Sequence, residues 1–506
     1  MALTPKQVRA LAVGEAETRI AALNEVLTGA DEKTVALIQA LSDDAVKFTE
    51  SAVYVMKDGK GFDPVTGAEL PVPAGAEDVI NNNQMRGELD AALASIKLFS
   101  PDVALRTEAV KTLQGEPDEA KLPLIEKAYA AEQVPAIKQS LGHIRFAMLL
   151  ASSDKAKRLE AATALGASGT PATKTLLIER QKVETESEVK AAISVALRSI
   201  EGRLAWGERL GVIFTGISLG SILLLVALGL AITYGLMGVI NMAHGELMMI
   251  GAYATYVIQN LFRAYLPGFF DAYVLVAIPV SFLAAALVGA ALERSVIRWL
   301  YGRPLETLLA TWGISLMLQQ LVRSVFGAQN VPVENPAWLS GGVEAMSNLT
   351  LPFNRIAIVA FAILVLVGVW TLIERTRLGL FVRGVTQNRR MAACMGVHTA
   401  SIDTYAFALG SGIAGLAGCA LSQVGNVGPD LGQGYIVDAF MVVVLGGVGQ
   451  LAGTVYAALG LGVLNKLLEG LSGAVLAKIM VLVFIVIFIQ KRPQGIFALK
   501  GRSAEA

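Results

Sequence analysis

The chain has 506 residues, 54% of them hydrophobic and 17% charged, with a mean hydropathy of +0.56. Its 42 basic and 42 acidic side chains cancel, but between halves: 18 basic and 13 acidic residues lie from Trp206 onward, against 24 and 29 before it. Neither half offers a basic excess of the kind nucleic acid needs, and no nucleic-acid partner is expected.

Residues 1–205 read as a soluble, mainly helical domain. The first 50 are polar helices without the basic start and apolar core of a signal peptide. Segments 19–27 and 32–41 have helical apolar spacing, with Thr28-Gly29 as the break. Residues 53–73 depart from it. Val53-Tyr-Val-Met-Lys57 is a short apolar run ending in an Asp58-Gly59 turn, and Asp63-Pro-Val-Thr-Gly67 is a second turn, so a small β-hairpin is expected. Further on, Arg106-Thr-Glu-Ala-Val-Lys-Thr-Leu matches Arg158-Leu-Glu-Ala-Ala-Thr-Ala-Leu. Each is followed by a second apolar helix, at 122–129 and 175–178. That is the pattern of HEAT-like helical-pair repeats sharing one core; an ordinary helical bundle is the alternative.

At Trp206 the solvent changes. Apolar segments follow near 210–234, 242–261, 272–293, 306–325, 354–373, 404–424, 435–448, 450–468 and 473–490. A bilayer core takes about 20 apolar residues per helix, so residues 206–506 read as a polytopic membrane domain of about 8–10 spans, some of them short or broken by glycine. Arg294, Arg298 and Arg303 share one loop. Arg375, Arg377, Arg383, Arg389 and Arg390 share another, and Lys491, Arg492, Lys500 and Arg502 form the tail. The alternate loops are poorer in charge, so the Arg-rich loops and the C-terminus are expected in the cytoplasm. With nine spans, residues 1–205 then fall in the periplasm. A domain of that size needs an export signal. Either the sequence starts at an internal or processed position, which Ala2-Leu-Thr-Pro5 would suit, or the span count is off by one.

Three constellations stand out. In Asn241-Met-Ala-His-Gly-Glu246, three polar residues sit between apolar segments, where lipid exposure would be costly. They mark either a broken helix at a translocation path or caps that fasten two helices. His244-Gly-Glu246 has no partner at metal-ligand spacing, and Cys394 and Cys419 form no metal or disulfide pattern. The basic stretch 374–396, amphipathic over 381–395, is long enough to present a short helix to a cytoplasmic partner or to the lipid surface. Gly410-Ser-Gly-Ile-Ala-Gly-Leu-Ala-Gly418 and the turn Leu445-Gly-Gly-Val-Gly449 allow close helix packing or line a cavity with backbone.

Taken in order, Asn241–Glu246, Thr376-Arg-Leu-Gly379 with Asn388 and Gly396, Ala414-Gly-Leu-Ala-Gly418, Leu445-Gly-Gly-Val-Gly449 and Arg492-Pro-Gln-Gly-Ile496 resemble the membrane permease of branched-chain amino acid type ABC importers. The long N-terminal extension with Asn81-Asn-Asn-Gln-Met-Arg86, and Pro304-Leu-Glu-Thr-Leu-Leu-Ala-Thr-Trp-Gly313, resemble the urea-type permease subunit of that family. The resemblance implies a lipid-embedded permease working with a second homologous permease, two cytoplasmic ATPase subunits and a periplasmic substrate-binding protein. It also implies that Arg377, Arg383, Asn388 and Gly396 belong to the loop seated on an ATPase. The chain lacks a Gly-x-x-x-x-Gly-Lys-[Ser/Thr] phosphate loop, so ATP hydrolysis is expected in partners, with no catalytic residue, metal or cofactor here.

A path for urea would offer donors and acceptors rather than fixed charge. Asn241, His244, Glu246, Thr311, Gln319, Gln423 and Asn426 are its candidate residues, with Gln320 and Tyr234 nearby in the sequence. Branched-chain amino acids or short amides are the alternative solutes. A membrane sensor is disfavoured by the many glycine-dense spans. A membrane enzyme is disfavoured because no nucleophile–base pair or paired carboxylates appear.

Overall fold

A computed structural model describes the chain except for residues 1–3, 28–31, 50, 58, 74, 115–121, 239 and 498–506. The Thr28-Gly29 break, Asp58, Lys500 and Arg502 therefore lie outside the described residues. The chain divides into two compact units, Met1–Leu204 and Ala205–Ala506.

The first unit opens with α1 (Pro5–Ala12), α2 (Ala16–Leu27) and α3 (Glu32–Ser42). An antiparallel sheet follows, of β1 (Val46–Phe48), β2 (Val53–Lys57), β3 (Lys60–Phe62), β4 (Glu69–Leu70) and β5 (Glu77–Asp78), in the order β4-β3-β2-β1-β5. The expected hairpin is β2–β3, registered Val55 to Phe62 and closed through Gly59 at φ +78. The other three strands have two or three residues each, too few to show alternation. The Asp63 turn forms as expected, with the Val65 N–H donating to Asp63 Oδ1 at 2.9 Å.

Next come α4 (Asn83–Lys97), α5 (Val103–Gln114), α6 (Leu122–Ala131), α7 (Pro135–Leu149), α8 (Lys155–Leu165), α9 (Pro171–Val183) and the start of α10 (Ser187–Met237). A shift of 52 residues, from Arg106 to Arg158, carries α5 onto α8, α6 onto α9, and α7 onto residues 187–201 of α10. The matched pairs of the sequence are thus each extended by a third helix.

The same shift reproduces a side-chain lock. Arg106 donates to Glu132 at 2.8 and 3.2 Å and to the Ser100 and Pro101 carbonyls. Arg158 donates to Glu184 at 2.9 and 3.2 Å and to the Ser152 and Ser153 carbonyls. Each carboxylate also accepts the backbone N–H groups of the next two residues. One arginine therefore satisfies the carbonyls that end one helix and orients the carboxylate that opens another, which offsets the cost of burying the charges.

The second unit holds the rest of α10, α11 (His244–Tyr265), α12 (Tyr273–Ser295), α13 (Pro304–Phe326), a hairpin of β6 (Gly342–Met346) and β7 (Leu349–Pro352), α14 (Phe353–Arg375), α15 (Arg377–Gln387), α16 (Arg389–Cys394), α17 (Thr399–Ser422), α18 (Leu431–Gly446), α19 (Leu451–Ser472) and α20 (Ala474–Lys491). Helices stand at all nine predicted apolar segments. Among the described residues, α10, α12, α14, α17, α19 and α20 are long and apolar enough to cross a membrane. Helices α11 and α13, of 22 and 23 residues, have the length but carry polar faces. Helix α18 has 16 residues, or roughly 24 Å at 1.5 Å per residue, short of a bilayer core. The β6–β7 hairpin was not foreseen.

Helix α17 is the hub, buried along most of its length. Its glycines explain how. A Cβ added at Gly418 would lie 1.9 Å from the Met248 carbonyl of α11, and one at Gly415 would lie 2.5 Å from the Ser281 carbonyl of α12. The small-residue stripe is thus backbone-to-backbone packing. The turn between α18 and α19 forms as read, through Gly447 and Gly449 at φ +97 and +78.

Candidate functional site

The break between α10 and α11 gathers the first constellation. Gly238 at φ +63 ends the regular helix, and the chain re-enters helix at His244. Asn241, His244 and Glu246 are all fully buried. The Ala243 N–H donates to Asn241 Oδ1 at 3.0 Å. His244 Nε2 donates to the Val226 carbonyl at 3.1 Å, since a carbonyl can only accept; Nδ1 is then the bare nitrogen. Glu246 lies in the first turn of α11, at the positive end of the helix dipole.

Across from them, Thr307, Thr311, Ser315 and Gln319 form a buried polar ladder on α13, at helical spacing of four. Thr311 Oγ1 accepts the Met242 N–H at 3.2 Å. Glu246 Oε1 accepts Ser315 Oγ at 2.9 Å and Gln319 Nε2 at 2.7 Å. Beyond the ladder, Arg323 pairs with Asp430 at 2.5 Å. Asp430 immediately precedes α18, whose Gly432 packs against Gly245 so closely that a Cβ would meet backbone at 2.2 Å.

Not every polar atom of this set is used. Asn241 Nδ2, His244 Nδ1, Glu246 Oε2 and the Tyr253 hydroxyl are buried without a hydrogen-bond partner among the described residues. Buried polar groups are nearly always paired, so four unpaired ones within the thirteen residues 241–253 make this stretch the candidate site. They supply both donors and acceptors. A cavity of about 680 Å³ among the described residues of this unit is elsewhere, between the end of α10, α15 and the turn at 448–452. It touches none of these polar residues. Its walls are mainly apolar, so it offers a polar solute fewer partners than the unpaired groups do.

The remaining candidates are placed apart from this cluster. Gln423 Nε2 donates to the Tyr273 hydroxyl at 3.1 Å, and Tyr273 donates to the Glu334 carbonyl at 2.5 Å. Asn354 Nδ2 holds the Gln423 carbonyl. Gln423 therefore fastens α17 to α12 and α14. Asn426 and Gln320 are exposed, and Tyr234 packs partly buried on the apolar core. Sequence reasoning missed Ser315 and Tyr253, although the spacing of four from Thr311 through Ser315 to Gln319 was visible. It also missed Asp438 on α18 and Lys478 on α20, which face each other at 3.6 Å. A lone charge inside each of two apolar runs was the available signal.

The basic stretch forms two helices rather than one. Thr376 Oγ1 accepts the Gly379 N–H and caps α15. Gly379 is required there, since a Cβ would lie 2.0 Å from the Ile373 carbonyl. Asn388 closes α15 through its N–H to the Gly384 carbonyl and opens α16 by accepting the Met391 N–H at 3.0 Å. Val382, Val385 and Ala392 are buried, while Leu380, Phe381, Met391 and Arg377 are exposed. Arg383 is paired to Glu374 at 2.9 Å, and Gly396 stands at φ +87.

Comparison with known proteins covers this unit. Residues 212–489 match the family described as "Branched-chain amino acid transport system / permease component". The high-affinity branched-chain amino acid transport system permease protein LivH of Salmonella typhimurium is 31% identical over 264 residues, which span 50% of this chain and 84% of LivH. The corresponding permease BraD of Pseudomonas aeruginosa is 28% identical over 285 residues, 56% of this chain and 93% of BraD. The ribose import permease protein RbsC of Escherichia coli is 31% identical over a shorter stretch of 110 residues, 20% of this chain and 34% of RbsC. No solved structure matches.

Proposed function

The chain belongs to the branched-chain amino acid transport permease family, and from that membership we propose that it is the membrane permease of an ATP-driven importer for branched-chain amino acids or short amides. The single observation that carries this is the similarity to LivH and BraD across nearly their full lengths. Their names favour an amino acid over urea.

In this reading the unpaired groups of Asn241, His244, Glu246 and Tyr253, with Thr311 and Gln319 behind them, line or hinge the solute path. A small polar solute sheds water on entering such a path and needs donors and acceptors in return. The exposed Leu380, Phe381 and Met391 of α15 and α16, with the exposed Arg377, Arg383 and Arg390 of the same segment, form the seat for a cytoplasmic ATPase, with Asn388 and Gly396 fixing its shape. A second permease, a second ATPase and a periplasmic binding protein complete the assembly. ATP binding and hydrolysis in the partners shift the permease pair between outward and inward access. The protein sits in a bacterial inner membrane, with its C-terminus in the cytoplasm and, if all nine helices cross, the first unit in the periplasm.

Urea is the second reading. What favours it is the first unit, which lies outside the matched residues 212–489 and contains the Asn81–Arg86 motif. There Asn81 accepts from Arg19 at 2.6 Å, and Asn82 caps α4. Uptake of labelled leucine, acetamide and urea, each measured in a strain lacking the gene and in the restored strain, separates the readings. Restored uptake of leucine or acetamide supports the first, restored uptake of urea alone supports the second, and restoration of none refutes both.

A further inference from the structure

A second buried polar network lies where α12, α16 and α17 meet, and nothing in the solute path uses it. Glu293, near the end of α12, is fully buried. Its Oε1 accepts the Tyr301 hydroxyl at 2.9 Å and Arg298 Nε at 3.3 Å. Its Oε2 accepts Thr404 Oγ1 at 2.7 Å and Arg298 Nη2 at 3.1 Å. Arg298 also donates to the Ala400 carbonyl at 3.3 Å. The end of α12 is thereby fixed to the start of α17, at Ala400 and Thr404.

Asp403, the neighbour of Thr404 on α17, has a side chain only 4% exposed. It accepts both arms of the Arg389 guanidinium, Nη1 to Oδ1 at 3.2 Å and Nη2 to Oδ2. Arg389 is the first residue of α16, set there by the Asn388 cap, and its guanidinium lies 5.4 Å over the Tyr301 ring. A planar fork held by a buried carboxylate and stacked on an aromatic face is a geometry lysine cannot reproduce.

Resting on the ATPase-seat reading of α15–α16, we infer that Arg389, gripped by Asp403 and Tyr301, is the latch that passes movement of the α15–α16 segment to α17. The path onward is steric. Helix α17 touches α11 through backbone at Gly415 and Gly418, so α17 cannot shift without carrying α11 and its Glu246. Packed interfaces of this kind move as units between discrete arrangements. Arg389 is a positioning residue: it touches neither solute nor nucleotide.

The test uses the full assembly in inverted and right-side-out membrane vesicles, with ATP hydrolysis and solute uptake both expressed per assembled complex. Arg389→Ala and the milder Arg389→Lys are compared with wild type. The latch predicts that hydrolysis persists while uptake falls at least tenfold in Arg389→Ala and severalfold in Arg389→Lys, so the ratio of uptake to hydrolysis drops. Were Arg389→Ala not to assemble, Arg389→Lys alone decides. An unchanged ratio in the variants that assemble overturns the latch. Absence of ATP-dependent uptake in wild type instead overturns the importer reading itself.

Discussion

Replacing Glu246 by glutamine isolates its charge. The glutamine keeps an oxygen where Oε1 accepts Ser315 and Gln319 at 2.9 and 2.7 Å, and it puts an amide where Oε2 lies buried and unpartnered. A hydrogen bond to a charged group contributes about 1.5–3 kcal/mol and a neutral one about 0.5–1.5. Two bonds passing from the first kind to the second lose about 2–3 kcal/mol. The smaller cost of burying a neutral amide offsets much of this. Net stability should therefore change by no more than about 2 kcal/mol, and a many-helix assembly should survive. Uptake should not. If the carboxylate is used in one conformation more than the other, losing even about 1.4 kcal/mol of that difference costs a factor of about ten. The assay is initial uptake rate divided by the amount of assembled complex in the membrane, for Glu246→Gln and, as a check on fastening, Gln319→Ala. Wild-type uptake per complex in Glu246→Gln would refute a role for the charge. Loss of assembly in both variants would show that the cluster only fastens α11 to α13.

Four further outcomes are expected. Gly418→Ala places a Cβ 1.9 Å from the Met248 carbonyl and should lower the thermal midpoint of the purified protein, an overpacking cost of about 1–3 kcal/mol; Gly313→Ala, with nothing within 4 Å, should leave it unchanged or slightly raised. Glu184→Ala strands the buried Arg158 guanidinium, a cost of about 3–5 kcal/mol read as faster hydrogen exchange across α8–α10, whereas Glu69→Ala breaks an exposed pair worth about 0–1. The pH dependence follows from the same locks: the Arg106 hydrogen bond holds the Glu132 carboxyl below its ordinary range, and although burial pushes Glu184 upward, the Glu186 N–H and Arg158 hold it low as well. Groups depressed in this way stabilise above the unfolded value near 4.3 and lose that contribution as pH falls through the folded one, so these two locks should make exchange in the first unit accelerate below about pH 4. Finally, reporter fusions after Arg203 and after Arg492 should place the first on the periplasmic side and the second in the cytoplasm; both in the cytoplasm would mean an even number of crossings, as when the 16-residue α18 does not cross.

The sequence showed the helices of the second unit because the bilayer is a uniform solvent and writes its demand as length and apolarity. It showed Asn241, His244, Glu246, Thr311 and Gln319 because polar side chains are costly there. Ser315 was hidden, being small and common in transmembrane helices. Gln423 was chosen by the same polarity rule and proved to hold Tyr273, since polarity alone does not tell a pathway from a fastener. The match of Arg106 to Arg158 was visible, but the locks they make were not, because each glutamate partner lies 26 residues on. Strands β1, β4 and β5 were too short to show a period. Arg389 read only as one of the arginines that set the topology, Asp403 gave no signal of its own, and only the fold brings them together.

The central claim, that ATP drives a solute through this chain, is tested most directly in proteoliposomes. The chain is purified with whatever ATPase and second permease accompany it, reconstituted with ATP enclosed on the ATPase side, and supplied outside with labelled leucine and the binding protein. The account predicts leucine accumulation above its external concentration, dependent on enclosed ATP and abolished when ATP is replaced by a non-hydrolysable analogue. Equilibration to the external concentration regardless of ATP, for leucine, acetamide and urea alike, would contradict it.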